Sequence, residues 1–453
     1  MPQDVHTKQL KKKLWLLSYP TMISFALQSF YDIVDMAWVG QISKEALSGV
    51  TLFSTIYMLF TVLNEVAGSS SVSMISQSYG RNDPERTQLI AEQTISFKVV
   101  LALISAVCLT LFLRPILSLY TSDPRVTEAA FQYGTIRIFF IPVMFSSYSV
   151  NTIFRCTYDA KTPMHIMIIS AVLNIVLDPL FIFKTIPGTA IPGLGLGVFG
   201  AALATVIATS IAFLYGFFIL ISGRRAVTIS LRGLFRLHPQ IDRALLTVGF
   251  PSGLQMLIRQ LFGAVLIFFV TSYGNEAIAL AGINGKLMNF CLMPIFGMTM
   301  AGSTLIGTAL GREDIREATL ISRIAANLNV RIVACIALAA SLFPSAIMRL
   351  FTTDPIVLSE GTYMIRTISV TMVICAYSFG RRVVFNGSGY NRPQLYSSLI
   401  SRWCVQLPMM LLIVSTLHLP LRFFWLTYVC SDTVELLIIL YHCRKGVWKK
   451  TRV

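Results

Sequence analysis

Twelve apolar stretches, each long enough to cross a lipid bilayer, determine what this chain can fold into. A membrane-spanning helix needs about 20 mostly apolar residues. The stretches lie near residues 14–39, 47–77, 89–113, 129–154, 163–183, 197–222, 244–271, 277–309, 318–343, 359–385, 393–417 and 421–443. Turn-forming residues such as GRND, SDPR and GRED separate them. The sequence therefore predicts an all-α polytopic membrane protein with twelve transmembrane helices.

The low content of charged residues agrees with a chain that is surrounded by a lipid bilayer. Only 13% of the residues are charged and 55% are hydrophobic, whereas a soluble domain carries about 25% charged residues. The net charge of +16 comes from basic residues clustered between the apolar stretches and not along one polar surface. This distribution argues against nucleic acid as a partner and is typical of loops on the cytoplasmic side of a membrane.

The distribution of Lys and Arg also predicts the orientation. With the N-terminus inside, the outer segments carry only a few basic residues: Lys44, Arg114, Arg125, Lys184, Arg349 and Arg422. The inner segments are richer, and the longest of them holds Arg224, Arg225, Arg232, Arg236 and Arg243. Both termini are therefore predicted to be cytoplasmic, in the inner (cytoplasmic) membrane. The polar start MPQDVHTKQLKKKLW predicts no cleaved signal peptide.

The chain contains an internal repeat. LYTSDPRV at 119–126 returns as LFTTDPIV at 350–357, and YGRND at 79–83 returns as LGRED at 310–314, both 231 residues later. We therefore predict an N-terminal six-helix lobe (1–222), a cytoplasmic linker (223–243) and a C-terminal six-helix lobe (244–453). Six spans per half make the two bundles parallel, pseudo-symmetric repeats around a central cleft. This arrangement is typical of transporters that work by alternating access.

Several segments resemble the multidrug and toxic compound extrusion (MATE) family, of bacterial or archaeal type. They are YDIVDMAWVGQISKEALSGV (31–50), SQSYGRND (76–83), LNIVLDPLFIF (173–183) and GAALAT (200–205), together with the two TSDP and TTDP turns. The resemblance covers nearly the whole chain and implies efflux of organic compounds driven by inward flow of Na⁺ or H⁺.

The chain departs from this resemblance in three places. A glycine-rich turn is usual in the family where this chain has RCTYDAKTP (155–163), with Thr157 and Tyr158 in place of small residues. KTIPGTAIPGLGLG (184–197) predicts an extended outer loop. The seventh and tenth spans lack the acidic residues found in some members, which places the expected coupling chemistry in the first half.

Two aspartates lie inside apolar spans. An ionised carboxylate in mid-bilayer costs a few kcal/mol, so such residues are functional candidates. Asp35 comes four residues before the end of the first span and Asp178 five before the end of the fifth, so both lie roughly 6–8 Å below the outer helix ends. The second half has Leu407 opposite Asp178 and the apolar stretch 266–269 opposite Asp35, so the repeat itself does not need these acids.

Three more polar residues are expected near the two aspartates. Asn174 precedes Asp178 by one helical turn, and Thr205 and Tyr133 lie at a similar depth in the sixth and fourth spans. Carboxylate, amide and hydroxyl oxygens suit Na⁺, and two close carboxylates can instead share a proton. By the resemblance, Asp35, Asn174, Asp178 and Thr205 match the family's cation site, Tyr133 less closely. The alternative is structural: Asp178 with Pro179 kinks a helix and Asp35 is interfacial.

Other intramembrane polar residues are candidates for a substrate cleft: Gln28, Asp32, Asn151, Arg259, Lys286, Asp432 and Glu435. Glu65 is a further acid within the second span. The second-half bases Arg259, Lys286, Arg331, Arg366 and Arg402 are expected mostly to pair with acids, because lone charges are rare in membranes. Any that remain free would favour substrates with an anionic or acceptor-rich part.

The sequence thus predicts a cation-coupled antiporter that exports amphipathic organic compounds, as a monomer. A flippase for lipid-linked saccharides, from the same superfamily, is the alternative. A membrane enzyme is not expected, since the five histidines are scattered and no Ser/His/Asp set is evident. The phosphate-binding motif G-x-x-x-x-G-K-[ST] is absent, so ATP is not the expected driver. No cofactor is predicted beyond the coupling ion, Na⁺ or H⁺.

Overall fold

The computed structural model describes residues 2–453, and almost all of them are helical. The helices are α1 (Pro2–Gly40), α2 (Lys44–Gly80), α3 (Pro84–Tyr120), α4 (Pro124–Phe139), α5 (Ile141–Cys156), α6 (Lys161–Ile182), α7 (Gly197–Ile221), α8 (Leu231–Leu234), α9 (Pro239–Thr271), α10 (Asn275–Gly311), α11 (Ile315–Leu342), α12 (Pro344–Arg349), α13 (Pro355–Ser388), α14 (Arg392–Leu399), α15 (Leu407–Leu411) and α16 (Leu421–Lys445). The π-helical segment Ile400–Gln406 joins α14 to α15, and a second one, Leu412–Thr416, follows α15, so that 392–416 is one continuous span.

The predicted spans all fall on these helices. Within residues 2–453, ten helices are long and apolar enough to cross a membrane, and the bent pair α4 and α5 makes an eleventh. The remaining predicted span, 14–39, lies inside α1, which runs for 39 residues. The predicted outer loop after α6 is irregular, with one isolated bridge between Thr185 and Pro192. The all-helical membrane fold is confirmed.

The fourth predicted span, 129–154, is formed by two helices. It is broken at Phe140, and α4 and α5 meet at an angle of 55°. Pro142 lies in the first turn of α5. Proline lacks a backbone donor and clashes with the preceding turn, so it is well tolerated at the start of a helix and kinks or breaks one further in.

The 231-residue repeat is visible in the backbone. Asn82 and Glu313 occupy equivalent turns and both have left-handed backbone angles, with φ of 56° and 64°. Asp123 and Asp354 cap equivalent helices. The backbone N–H of each donates to a threonine hydroxyl two residues earlier, over 3.1 Å in both cases. Since the same backbone angles and hydrogen bonds recur at the same offset, the two halves have the same local structure at these turns.

The helices group into two compact units. One contains Ile23–Gly249; the other contains Phe250–Val453 and the chain up to Met22. Each has its own packed core, with Phe53, Tyr133 and Phe145 in the first and Met364, Phe424 and Trp425 in the second. The prediction placed lobe boundaries in the loops at 222 and 244, whereas contacts divide the chain inside α1 and inside α9.

Close backbone packing fixes the start of α9 in the unit Ile23–Gly249. A Cβ on Gly249 would lie 1.7 Å from the Val66 carbonyl oxygen of α2 and 3.1 Å from the Ser70 hydroxyl. Small residues of this kind let helix backbones approach closely in membrane proteins. Glycine is therefore required at this position by contact, and Gly263, further along the same helix, has open space around it.

We expect Gly249→Ala and Gly263→Ala to change stability in opposite directions. Overpacking at Gly249 should cost about 1–3 kcal/mol, whereas removing a helical glycine at Gly263 should gain roughly 0.5–1 kcal/mol. The apparent melting temperature of the detergent-purified protein measures both. Equal shifts for the two variants would show that the contact with Val66 does not hold α9 in place.

Candidate functional site

Asp178 is held by a short polar network between α6 and α7. Asn174, one turn earlier on α6, donates from Nδ2 to Asp178 Oδ1 over 3.1 Å and to the Thr205 hydroxyl over 3.4 Å. The Thr205 hydroxyl in turn donates to the Ala201 carbonyl over 3.0 Å. Asp178 is fully buried. The Asn174 amide supplies one hydrogen bond in place of water, which offsets part of the cost of burying Asp178.

Asp35 lies near the end of α1 and joins the same cluster. Its carboxyl interacts with the Tyr133 side chain of α4 and electrostatically with Asp178. Asp35 is 8% exposed and Tyr133 3%. The structure thus brings together the five residues that the sequence proposed for cation coupling. All five belong to the unit Ile23–Gly249.

Three buried oxygens of this cluster have no hydrogen-bond partner: Asp35 Oδ1, Asn174 Oδ1 and Asp178 Oδ2. A buried polar atom without a partner is costly, so it indicates a missing ligand or proton. Carboxylate and amide oxygens are the ligands that a hard cation such as Na⁺ prefers. These three oxygens are therefore suitable ligands for Na⁺, and the two carboxylates could instead share a proton.

Arg137, which was not predicted as a site residue, lies beside the cluster. Its Nη1 is 3.5 Å from the Tyr133 hydroxyl, and its guanidinium carbon lies 5.7 Å from the centre of the Tyr57 ring. It also interacts electrostatically with Asp35. An arginine in the middle of the apolar run TIRIFFIPV was the signal, because such charges are rare in membranes. Its charge partly offsets the carboxylates and would compete with a bound cation.

No hydrogen bond within residues 5–453 joins the other first-half candidates to the Asp178 network. Gln28 donates from Nε2 to the Tyr31 hydroxyl over 2.5 Å and to Asp32 Oδ1 over 3.4 Å, and Asp32 is exposed. Asn151, on α5, is half-buried with an unpaired amide oxygen.

Glu65 and Lys98 form a separate charged pair between α2 and α3. A Cβ on Gly68 would lie 3.6 Å from Lys98 Nζ and 3.9 Å from Glu65 Oε2. The Lys98 side chain is fully buried, and it interacts electrostatically with Glu65. Because Lys98 compensates the Glu65 charge, Glu65 is a weaker candidate for cation coupling than Asp35 or Asp178.

In the unit that contains Phe250–Val453, Glu435 is the centre of an ion-pair network. Its carboxylate contacts Arg259 Nη2 at 2.7 Å and Arg402 Nη2 at 3.5 Å, and it also pairs with Arg382. The Ser398 hydroxyl donates to Glu435 Oε1 over 3.2 Å. The expectation that most of the five second-half bases pair with acids is confirmed for Arg259 and Arg402. It is wrong for Lys286, Arg331 and Arg366, which form no ion pair with the acids of residues 5–453.

Asp432 completes this network from the preceding turn of α16. It pairs with Arg402 at 2.5 Å and accepts from the Cys375 thiol at 3.1 Å. Arg402 also donates to Gln406 Oε1 over 2.7 Å. Arg402 lies in the π-helical segment Ile400–Gln406, and π-helical turns are frequent at functional sites because they shift side chains out of the regular register.

The network has three guanidinium groups for two carboxylates, so one positive charge is left over. Arg259 is its most exposed basic member, with a side chain 33% exposed against 4% for Arg382 and 13% for Arg402. Lys286 lies on α10 with an exposed side chain and takes no part in the ion pairs of residues 5–453. The two units therefore carry charge clusters of different composition.

The MatE family model matches residues 20–180 and again 251–412. The chain is 26% identical to the "Probable multidrug resistance protein YoeA" of Bacillus subtilis, covering 99% of this chain and 97% of the relative. It is 25% identical to the "Multidrug export protein MepA" of Staphylococcus haemolyticus, covering 84% of this chain and 82% of that one.

Solved structures of the same type are also similar. A transporter of the MOP superfamily from Pyrococcus furiosus, described as having a binding pocket of reverse polarity, superposes with a TM-score of 0.86 at 25% identity, covering 98% of this chain and 97% of that one. An outward-facing multidrug resistance MATE family transporter superposes equally well at 26% identity, again covering 98% and 97% of the two chains.

We expect Asn174→Leu to destabilise the protein more than Thr205→Val. The first change leaves the buried Asp178 carboxylate without its donor, which should cost roughly 1–3 kcal/mol. The second removes the longer of the two Asn174 hydrogen bonds and the Thr205 donation to the Ala201 carbonyl, but it keeps the donor to Asp178. Unfolding of each variant in detergent, followed by loss of helical signal, measures the difference. If both variants unfolded like the parent, the network would not stabilise Asp178.

Proposed function

This chain belongs to the MatE family of membrane transporters, and we propose that it is an antiporter that exports amphipathic organic compounds in exchange for Na⁺ or H⁺. Alternating access is the proposed mechanism, because two parallel repeats of six spans are typical of transporters that rock around a central site. The chain acts as a monomer, with both termini in the cytoplasm, in the cell membrane. The names of the relatives YoeA and MepA, a probable multidrug resistance protein and a multidrug export protein, favour drug-like substrates.

The three unpaired buried oxygens of Asp35, Asn174 and Asp178 are the observation that carries the coupling proposal. A cation or proton bound there would satisfy groups that otherwise remain uncompensated in a low-dielectric site. Asp178 and Asn174 lie on α6 and Asp35 on α1, so one bound ion would tie two helices together. Binding and release would therefore change how α1 packs.

The proposed coupling cycle follows from an ion that contacts both α1 and α6. With the cluster open to the outside, an ion binds the two carboxylates and draws α1 towards α6, which weakens the substrate's contacts and releases it. After the protein turns inward, the ion leaves and Arg137 again interacts with Asp35. A bound species can shift such an equilibrium only by its differential affinity for the two states, and the charge of the Asp35 and Asp178 pair supplies that difference.

The substrate class is proposed from the Glu435 network. Glu435 keeps two guanidinium partners, Arg382 and Arg402, even without Arg259. Arg259 is thus the basic group that can turn to a ligand at least cost. We propose that it binds an anionic or acceptor-rich part of an amphipathic, zwitterionic substrate, because arginine presents a fork of donors suited to carboxylates.

We expect Asp178→Asn to reduce ion-driven export by about tenfold, the order of a typical coupling energy. Asparagine keeps an acceptor for the Asn174 amide but loses the charge. Protein in vesicles, loaded with a fluorescent substrate and given a pH gradient or a Na⁺ gradient separately, shows which ion drives export. The matched control is Glu128→Gln, an exposed change in the same unit.

Undiminished export by the double variant Asp35→Asn/Asp178→Asn would contradict ion coupling at this cluster. Gradient-independent movement of lipid-linked saccharide in the same vesicles would instead support the flippase alternative. Since both are measured on one preparation, the two functions are distinguished directly.

We expect Arg259→Gln to weaken export of acid-bearing compounds by roughly tenfold, because a hydrogen bond to a charged group is lost. Export of purely cationic compounds should be nearly unchanged. Arg323→Gln is the matched control, since it removes one positive charge from an exposed position on α11 of the same unit and is not a substrate-cleft candidate. Equal losses for acidic and cationic compounds would count against a substrate contact at Arg259.

A further inference from the structure

The linker between α7 and α9 is fixed to α3 by a buried polar trio, Glu92, Gln93 and Ser96. The Glu92 carboxylate accepts from the Ser230 backbone N–H over 2.7 Å and from the Gln88 amide over 2.8 Å. A Cβ on Gly233 would lie 1.8 Å from Glu92 Oε2, so a glycine is needed where the linker passes over this carboxylate.

The other two members of the trio bind the following residues of the linker. Gln93 donates from Nε2 to the Arg236 carbonyl over 2.5 Å and accepts from the His238 backbone N–H over 3.0 Å. The Ser96 hydroxyl donates to the Leu234 carbonyl over 2.6 Å. All these contacts use the linker's backbone. They hold its path in place while leaving its side chains free to face outwards.

The outward face of the linker alternates apolar and basic side chains. Leu231, Phe235 and Leu237 are 55%, 89% and 57% exposed. Arg232 and Arg236, between them, are exposed as well. Val227 and Ile229, just before, are buried, so the segment is anchored on one side and amphipathic on the other. Large apolar groups interleaved with arginines are typical of segments that lie in a membrane interface.

The position along α3 at which the linker is bound agrees with a location of the linker at the membrane interface. α3 has 37 residues, which is about 55 Å, whereas the hydrocarbon core of a bilayer is about 30 Å thick. If α3 is centred in the bilayer, the hydrocarbon core begins about eight residues after Pro84, next to Glu92. With α3 centred in this way, the linker would lie at the boundary between acyl chains and headgroups.

We propose that residues 230–238 are a membrane anchor that binds the phosphate groups of anionic lipids through Arg232 and Arg236. Leu231, Phe235 and Leu237 insert beside the acyl chains. This anchor requires that the chain is a membrane protein and that the linker lies on the inner side, as its arginines predict, and it does not depend on the coupling ion.

The test compares Arg232→Gln/Arg236→Gln with the control Lys11→Gln/Lys12→Gln, which removes the same charge from exposed positions of the N-terminal segment. Gln93 bonds the Arg236 carbonyl and not its side chain, so the linker stays docked in the test variant. Binding of fluorescent phosphatidylglycerol to the purified full-length protein should weaken about thirtyfold, because each of the two basic residues contributes about 1 kcal/mol and every 1.4 kcal/mol is a factor of ten in affinity. The control should bind nearly as the parent does.

Insertion of the apolar side chains is tested by Phe235→Trp in vesicles of phosphatidylglycerol and phosphatidylcholine. Lipids brominated near the ester end of the acyl chain should quench the added tryptophan fluorescence. Equal weakening in the arginine and lysine variants, or no quenching at residue 235, would overturn the proposal. Displacement of the lipid by millimolar inorganic phosphate would also overturn it, because it would show a site for the free anion.

Discussion

The cost of placing a carboxylate in a low-dielectric interior governs how this molecule is arranged. An ionised acid there must be paired, hydrogen-bonded or neutralised. The unit with Glu435 uses pairing: Arg259, Arg382 and Arg402 surround it. The unit with Asp178 uses neutral donors instead, and leaves three oxygens of the cluster unpaired. The Glu435 carboxylate is fully paired, whereas the unpaired oxygens of the Asp178 cluster are where we propose that a cation or proton binds.

This contrast explains why two halves with the same plan are chemically different. The turns and helix caps repeat at an offset of 231 residues, since they depend on local backbone chemistry that both halves need. The acids do not repeat, and Leu407 occupies the place equivalent to Asp178. In the second half the same span carries π-helical turns that bring Arg402 to Asp432. The shared framework thus holds an acidic cluster in one unit and a net basic one in the other.

Much of this was predictable from sequence, because the length of an apolar run and the identity of turn residues act locally. The spans, the repeat and the convergence of Asp35, Asn174, Asp178, Thr205 and Tyr133 follow from such signals. The break at Phe140 did not, since a proline in a span can kink it, start a new helix or be tolerated. Nor did the partners of Glu435 and the place of Arg137: spacing along one helix does not show which residues of other helices it meets.

The division of the chain inside α1 and α9, near Pro20 and Pro251, has a consequence for how such a protein is built. The opening segment of each repeat is packed among the helices of the other repeat's unit. A polypeptide holding one repeat alone would lack the segment that completes it and would retain one that belongs elsewhere. An ancestral protein with a single repeat could form both units by exchanging these segments with a second molecule, as in domain swapping. Fusing two copies of the gene makes this exchange of segments intramolecular. Each repeat can then acquire charged residues that the other repeat lacks.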